Sequence, residues 1–423
     1  MTTALDYALM AGASYISNRD PKNQLPTPQG WLQFAHVPNN PDYPMFTSAS
    51  GFEAVSFQNV ANPNEIVISF AGTDFSKGNA SLFESDFWNG NIPLITGTSV
   101  NGADQLVDAV EYYLQVKASA PVDTTISLTG HSLGGALAAL VGVFFGETAF
   151  TFDQVPAAAT ASSASAVALY NALIAKGHTS TELASLANYI QLQSDNGGIP
   201  NEGLVTNLNV DGEVAGLIPL FQRIGNEASI DSSHDGLDVV GSDLHSIALL
   251  NVFLQSNVTA SPFKTLSDVT FKLPDLLKMI FDENLFASDP LNKDAPVENF
   301  LERLVKHEAG VRDPATGATT LAADQMVTRF TEDMWKVAQA GGFTLTNQHI
   351  ANTLVAFAMQ FYYENTDAAV IGHTLYADVT GGLRFDRSDV SATLADAKGW
   401  QQYLQNWLAQ DLSSNDKEWE LAA

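Results

Sequence analysis

Two hydrophobic patterns alternate along the first 260 positions. Short apolar, β-branched runs bounded by turn formers predict strands: Ile66-Val67-Ile68-Ser69-Phe70 lies between Asn62-Pro63-Asn64 and Gly72. Residues 125–129 (TISLT), 149–152 (AFTF) and 204–210 (LVTNLNV) read the same way. Between them the period lengthens to that of a helix. In residues 104–117 the apolar positions Leu106, Val107, Val110, Tyr113 and Leu114 fall at i, i+3, i+4 and neighbouring offsets, and 136–145 is an Ala/Leu/Val run of helical length. Strand and helix in alternation predict an α/β architecture, a mostly parallel sheet with helices on both faces.

From about residue 261 the pattern changes, and a boundary is expected there, after the turn-prone Ser256-Asn257. A catalytic domain over 1–260 and a mainly helical C-terminal region over 261–423 follow from it. Helical spacing recurs at 296–308, 321–338 and 346–363, while 374–385 (TLYADVTGGLRF) alternates like a hairpin closed at Thr380-Gly381-Gly382.

Composition narrows the chemistry. The chain has 423 residues, 19 Lys and Arg against 47 Asp and Glu, and a formal net charge of −28. An excess of that sign disfavours nucleic acid as a partner, since phosphate neutralisation needs clustered cations. It also disfavours a purely electrostatic attraction to anionic lipid. The charge divides unevenly: 6 cationic and 24 acidic residues up to Phe263, 13 and 23 after it. Cysteine is absent, which removes disulfides, thiolate metal sites and a cysteine nucleophile together. No basic n-region precedes the N-terminal apolar residues and no apolar run reaches the length of a transmembrane helix. The expectation is a soluble protein, exported by a route that does not read the N-terminus, although a cytoplasmic setting fits the same composition.

The most informative stretch is SLTGHSLGGAL, residues 127–137. Gly130-His131-Ser132-Leu133-Gly134 matches G-x-S-x-G between an expected strand and an expected helix, the context of a nucleophile elbow. Such a turn forces the serine into an unusual backbone conformation, and glycine neighbours let the flanking chain pass close to it. The bland alternative is a Gly-rich turn with a serine N-cap.

A serine nucleophile needs a base and an orienting acid. The candidate histidines are His178, His234, His245, His307, His349 and His373. His245 stands just ahead of the apolar run SIALL and is the expected base, with His234 as competitor; either could be an ordinary surface histidine. Asp211 directly follows the strand expected at 204–210. The C-terminal ends of sheet strands are where catalytic groups gather in open α/β folds, so Asp211 is the expected acid. Glu213, Asp235 and Asp238 compete with it. For the oxyanion hole, the backbone N–H of Leu133 is one expected donor and Thr73, in Phe70-Ala71-Gly72-Thr73-Asp74, the other. No metal spacing, Walker A loop or dinucleotide fingerprint stands out, so no cofactor is expected.

In this order, SFAGTD, SDFWNGN, LTGHSLGGALAAL and HSIALL resemble the class 3, or fungal-type, triacylglycerol lipases, including bacterial members. The similarity spans about residues 4–253. It implies an α/β-hydrolase fold, Ser132 as nucleophile, Asp211 as acid, His245 as base, and Thr73 with Leu133 as oxyanion donors. It further implies that residues 75–95 include or border a lid, and a substrate that is a lipid or other hydrophobic ester met at an interface. Phospholipase A1, short-chain esterase and polyester hydrolase activities are the enzyme alternatives, and a non-catalytic binding module the alternative of another class. Ala71 stands where the family usually has Arg, and residues 157–198 look like an inserted helical segment, a second lid or a wall of the acyl pocket. The C-terminal third is similar to regions that follow the lipase module in large exported bacterial proteins with calcium-binding repeats. Those repeats themselves are missing from this chain.

Overall fold

The computed structural model describes residues 2–16, 24–34, 46–47, 52–72, 100–217, 222–230, 244–256, 300–323, 325–328, 376–379 and 382–385. Eight of the strands form one sheet: β1 (Trp31–Gln33), β2 (Phe46–Thr47), β3 (Glu53–Asn59), β4 (Glu65–Phe70), β5 (Thr125–His131), β6 (Thr148–Phe152), β7 (Val205–Val210) and β8 (Asn226–Ile230). Their order is 1-3-4-5-6-7-8, with β2 also paired to β3. β4 to β8 are mutually parallel, whereas β1, β2 and β3 join by antiparallel pairing. The expected mostly parallel sheet is present and extends further at both sides than the hydrophobic runs indicated.

β4 shows why the sheet needs cover on both faces. Ile66, Ile68 and Phe70 enter one apolar cluster while Val67, between them, enters another on the opposite face, as the two-residue period of a strand requires. All four side chains are fully buried, each stabilising the fold by about 1.5–3 kcal/mol relative to exposure.

On the first face lie α2 (Val100–Ser119) and α3 (Leu133–Phe145). Every residue of α3 is buried, including its glycines, the mark of a helix enclosed on all sides. It ends at Gly146, whose left-handed φ of 74° allows its N–H to return to the Gly142 carbonyl. The segment 157–198 contains α4 (Ser163–Ala175) and α5 (Ala184–Asn196). It is helical and forms the crossover from β6 to β7. Leu169, Leu173, Leu183, Leu186 and Tyr189 sink into the main core, and Tyr189 meets Phe144 of α3 edge-on with ring centroids 4.8 Å apart.

The opposite face carries α1 (Ala4–Ala13) and α6 (Ile247–Gln255). α1 opens with a capping box between Thr3 and Asp6. Hydrogen bonds then fix it to the sheet: Ser69 donates to the Met10 carbonyl at 3.0 Å, and Tyr7 to Ser127 Oγ at 3.0 Å. Asn251 of α6 donates to the Ala8 carbonyl at 3.0 Å. The Asn251 bond ties the middle of α6 to α1, which is itself bonded to the sheet, and His245 lies two residues ahead of that helix.

The expected boundary near residue 260 lies outside the described residues. Beyond it, α7 (Phe300–Ala309) packs on α6, with Gln255 Nε2 donating to the Val305 carbonyl at 3.2 Å. The adjoining hairpin β9 (Val311–Arg312) and β10 (Thr319–Leu321) reaches β1, where Gln33 N–H donates to the Pro314 carbonyl at 3.0 Å. Leu321, expected to begin a helix, instead ends β10; among the described residues of 321–338, those in helix are 326–328. The helix expected at 346–363 lies outside the described residues. The hairpin expected at 374–385 is found as β11 (Tyr376–Val379) and β12 (Gly382–Phe385), with Val379 opposite Gly382. No helix among the described residues is long and apolar enough to cross a membrane.

Candidate active site

Ser132 sits between the end of β5 and the start of α3 with φ 58° and ψ −125°, a strained backbone for a residue with a Cβ. Packing enforces it. A Cβ on Gly134 would land on the Phe70 carbonyl, and one on Gly130 would strike the backbone of Gly134, so both flanking glycines are steric requirements of the elbow. Ser132 Oγ makes no capping bond to the helix beneath it, unlike an ordinary N-cap serine. The hydroxyl is instead 2.8 Å from His245 Nε2.

His245 immediately precedes Ser246, which caps α6 by accepting from the Leu249 N–H at 3.3 Å. The other ring nitrogen, Nδ1, lies 2.6 Å from Glu213 Oε2. A carboxylate can only accept, so Nδ1 carries the proton and Nε2 is left to accept from the Ser132 hydroxyl.

The partner of His245 is thus Glu213, and not Asp211. The cause is the turn after β7. Glu213 N–H donates to the Val210 carbonyl at 3.2 Å, which places Asp211 and Gly212 at the two corners of a β-turn, with Gly212 at φ 81°. Corner side chains point outward, and Asp211 is exposed. The chain returns inward at Glu213, which is 1% exposed. Four groups surround its carboxylate: the His245 ring, the Ala215 and Gly216 N–H groups at 2.7 Å each, and the Arg223 guanidinium. Arg223 is itself anchored by its Nε–H to the Gln154 carbonyl at 2.6 Å. Burial alone would raise the pKa of Glu213, but the hydrogen bond and charge of His245, the charge of Arg223 and the Ala215 N–H outweigh it and hold the carboxyl below its ordinary range.

Sequence reasoning also passed over Asp153, at the end of β6. It is fully buried, has φ 40°, and accepts the Val210 N–H through Oδ1 at 2.8 Å. Desolvation, then repulsion from Glu213, push its pKa well above the usual carboxylate value, against the Val210 N–H and Arg223. His131, the second residue of the elbow motif, lies beside it, its ring tilted by 42° against that of His245 with centroids 4.8 Å apart. Its Nδ1 is 3.0 Å from the Tyr15 hydroxyl.

Of the expected oxyanion donors, Leu133 is the first residue of α3, ahead of the helix's first i→i−4 bond, from Ala136 N–H to the Ser132 carbonyl. Its N–H is therefore one of those a helix start offers to a ligand. Thr73 lies outside the described residues, as do the lid segment 75–95, His234, Asp235 and Asp238. Gly72, the last described residue before Thr73, passes beside the nucleophile, so close that a Cβ there would be 3.2 Å from Ser132 Cβ. His178, in the β6–β7 crossover, faces Glu111 and Glu182, and His307 belongs to α7, while His349 and His373 lie outside the described residues.

A family model described as phospholipase-like, the Tle-like phospholipase domain, matches residues 6–178. Over that stretch the chain is similar to a phospholipase. The matched residues contain Ser132 and its elbow, while Glu213 and His245 follow them. Among solved structures, lipase II from Rhizopus niveus matches at 17% identity, covering 54% of this chain and 79% of its own, with a TM-score of 0.31. The M37 lipase matches at 16% identity over 50% of this chain and 66% of its own, with a TM-score of 0.26. No curated protein matches the sequence. The family match over residues 6–178 agrees with the lipase resemblance of the motifs and with a carboxylic-ester hydrolase acting on lipid esters.

Proposed function

We propose that Ser132, His245 and Glu213 act as nucleophile, base and orienting acid in the hydrolysis of lipid acyl esters, phospholipids among them. The observation that carries this reading is the continuous chain from Ser132 Oγ to His245 Nε2 at 2.8 Å and from His245 Nδ1 to Glu213 at 2.6 Å. Ser132 Oγ attacks the ester carbonyl as His245 Nε2 takes its proton. Negative charge then develops on the former carbonyl oxygen, where the Leu133 N–H is placed to receive it. Collapse breaks the bond to the alcohol, which leaves with the proton from His245. A water that gives its proton to the same nitrogen attacks the acyl-enzyme, releasing the fatty acid and restoring Ser132. Throughout, Glu213 keeps the Nδ1–H in place and balances the imidazolium; its low pKa keeps it charged for that role.

Phospholipid acyl esters are favoured over triacylglycerols by the description of the family model matched over residues 6–178. Triacylglycerol hydrolysis is the second reading, favoured by the GHSLGG and HSIALL elements shared with the class 3 lipases. Fatty-acid release from phosphatidylcholine vesicles and from a triacylglycerol emulsion, by the native chain and by Ser132→Ala, tests both. The expected outcome is release from the vesicles, lost by about 10⁴-fold or more in the variant with its fold retained. Undiminished hydrolysis by Ser132→Ala would overturn the assignment of the nucleophile.

A further inference from the structure

Asp153 is an expensive residue for the fold. Its φ of 40° is the left-handed region, which asparagine and aspartate tolerate better than other side chains yet which still favours glycine. Its side chain is fully buried, and while Oδ1 takes the Val210 N–H, Oδ2 makes no hydrogen bond with any of the described residues. Strain, desolvation and an unsatisfied oxygen at one position beside a reactive serine mark a place where something binds.

Oδ2 faces His131 Nε2 at 3.8 Å. That is too wide for a hydrogen bond, which spans about 2.7–3.2 Å. It is narrower than the roughly 4.4 Å that a water at a tetrahedral angle would bridge with two such bonds. Two zinc–ligand bonds of about 2.0–2.1 Å span it at an angle of about 130–145°, and closing to the tetrahedral angle brings the two atoms to about 3.4 Å, a shift of a few tenths of an ångström. A ring nitrogen of His245 completes a set of three donor atoms, from His131, Asp153 and His245, lying within 4.8 Å of one another. The set comes from the last residue of β5, the residue after β6 and the residue before the Ser246 cap of α6, so no sequence spacing announces it. The Tyr15 hydroxyl at His131 Nδ1 supplies the outer hydrogen bond that orients a ligating histidine.

We infer that His131 Nε2, Asp153 Oδ2 and a ring nitrogen of His245 form a site for a divalent zinc-type ion that switches the hydrolase off. Both nitrogens of His245 are engaged when the ion is absent, one with Ser132 and one with Glu213. Ligation must therefore break one link of the catalytic chain, and the ion and the reaction exclude each other. Metal binding stands apart from the proposed function, whereas its inhibitory consequence rests on that reading.

Calorimetric titration of the full chain with Zn²⁺ tests the site, with Co²⁺ absorption as a second readout of a low-coordinate N/O environment. Ser132→Ala serves as the inactive control. The expected result is one ion per chain in both the native and Ser132→Ala forms, with esterase activity of the native form falling in step with occupancy and returning on chelation. Asp153→Asn keeps the acceptor for Val210 but loses the anionic ligand, and Asp153→Gly relieves the positive φ. Both are expected to weaken Zn²⁺ by at least about tenfold, the lower end of what even outer hydrogen-bond partners contribute to a metal site. Absence of stoichiometric binding, or binding equally tight in both Asp153 variants, would overturn the site. Binding that leaves activity intact would overturn the part played by His245. A chain that hydrolyses no ester at all while binding Zn²⁺ through Asp153 would instead sink the proposed function alone.

Discussion

Replacing Glu213 with Gln separates the observed geometry from the one expected of the motif. The exchange preserves shape and removes the charge from a side chain that is 1% exposed. Its amide can present an N–H to His245 Nδ1, favouring the tautomer in which Nε2 carries the proton and cannot accept from Ser132. In serine triads an amide in place of the acid lowers kcat by about 10⁴-fold, equivalent to about 5.5 kcal/mol of transition-state stabilisation. The fold is also affected. Arg223 loses its nearest carboxylate, and breaking a buried pair costs about 3–5 kcal/mol. Here the loss is offset in part by the Gln154 carbonyl at 2.6 Å and by Glu227, whose carboxylate is 3.8 Å from Arg223. Thermal unfolding should accordingly accompany kcat measurement on a p-nitrophenyl ester, so that activity is compared at a temperature where both forms are folded. Asp211→Asn is the paired control. It changes an exposed turn corner, and its expected effect on kcat is less than about threefold, in keeping with surface substitutions within about 0.5 kcal/mol. If Asp211→Asn loses several orders of magnitude while the folded Glu213→Gln keeps its rate, the assignment drawn from the hydrogen bonds is wrong.

Other outcomes follow from the same structure. Gly134→Ala drives a Cβ onto the Phe70 carbonyl, whereas a Cβ at Gly135 would lie 3.1 Å from the Gly130 carbonyl; the first variant is expected to lose at least about 1–3 kcal/mol more stability in denaturant unfolding, and equal stabilities would refute the steric account of the elbow. With a net charge of −28, hydrolysis of zwitterionic vesicles should exceed that of anionic vesicles at low salt, and the gap should narrow as salt screens the repulsion; faster turnover on anionic vesicles would contradict this.

The parts of the fold that could be read from sequence are those whose side chains are buried on both faces. β4 and β5 are short apolar runs between turn formers, and their parallel pairing puts Phe70 opposite Gly130 at the elbow. β8 could not be read that way: four of its five residues are exposed, so the run NEASI carries no apolar period. β3 is buried along most of its length and lacks a clean alternation. The elbow was legible because its glycines are needed for close approach within one local turn. The acid was less so, because two acidic residues follow β7 within three positions and only the turn decides which one faces inward. Its signal was Asp211-Gly212, a corner pair that sends the next residue back toward the sheet. Asp153 left no signal, since its significance comes from His131 on the neighbouring strand and His245 far along the chain.

His245 and Glu213 are proposed to make Ser132 a nucleophile. Labelling the full chain with a fluorophosphonate and mapping the adduct by mass spectrometry tests it most directly. A single phosphonylated residue is expected, Ser132, with labelling abolished in Ser132→Ala and slowed in Glu213→Gln. A folded chain that stays unlabelled, or that is labelled at another serine, would contradict it.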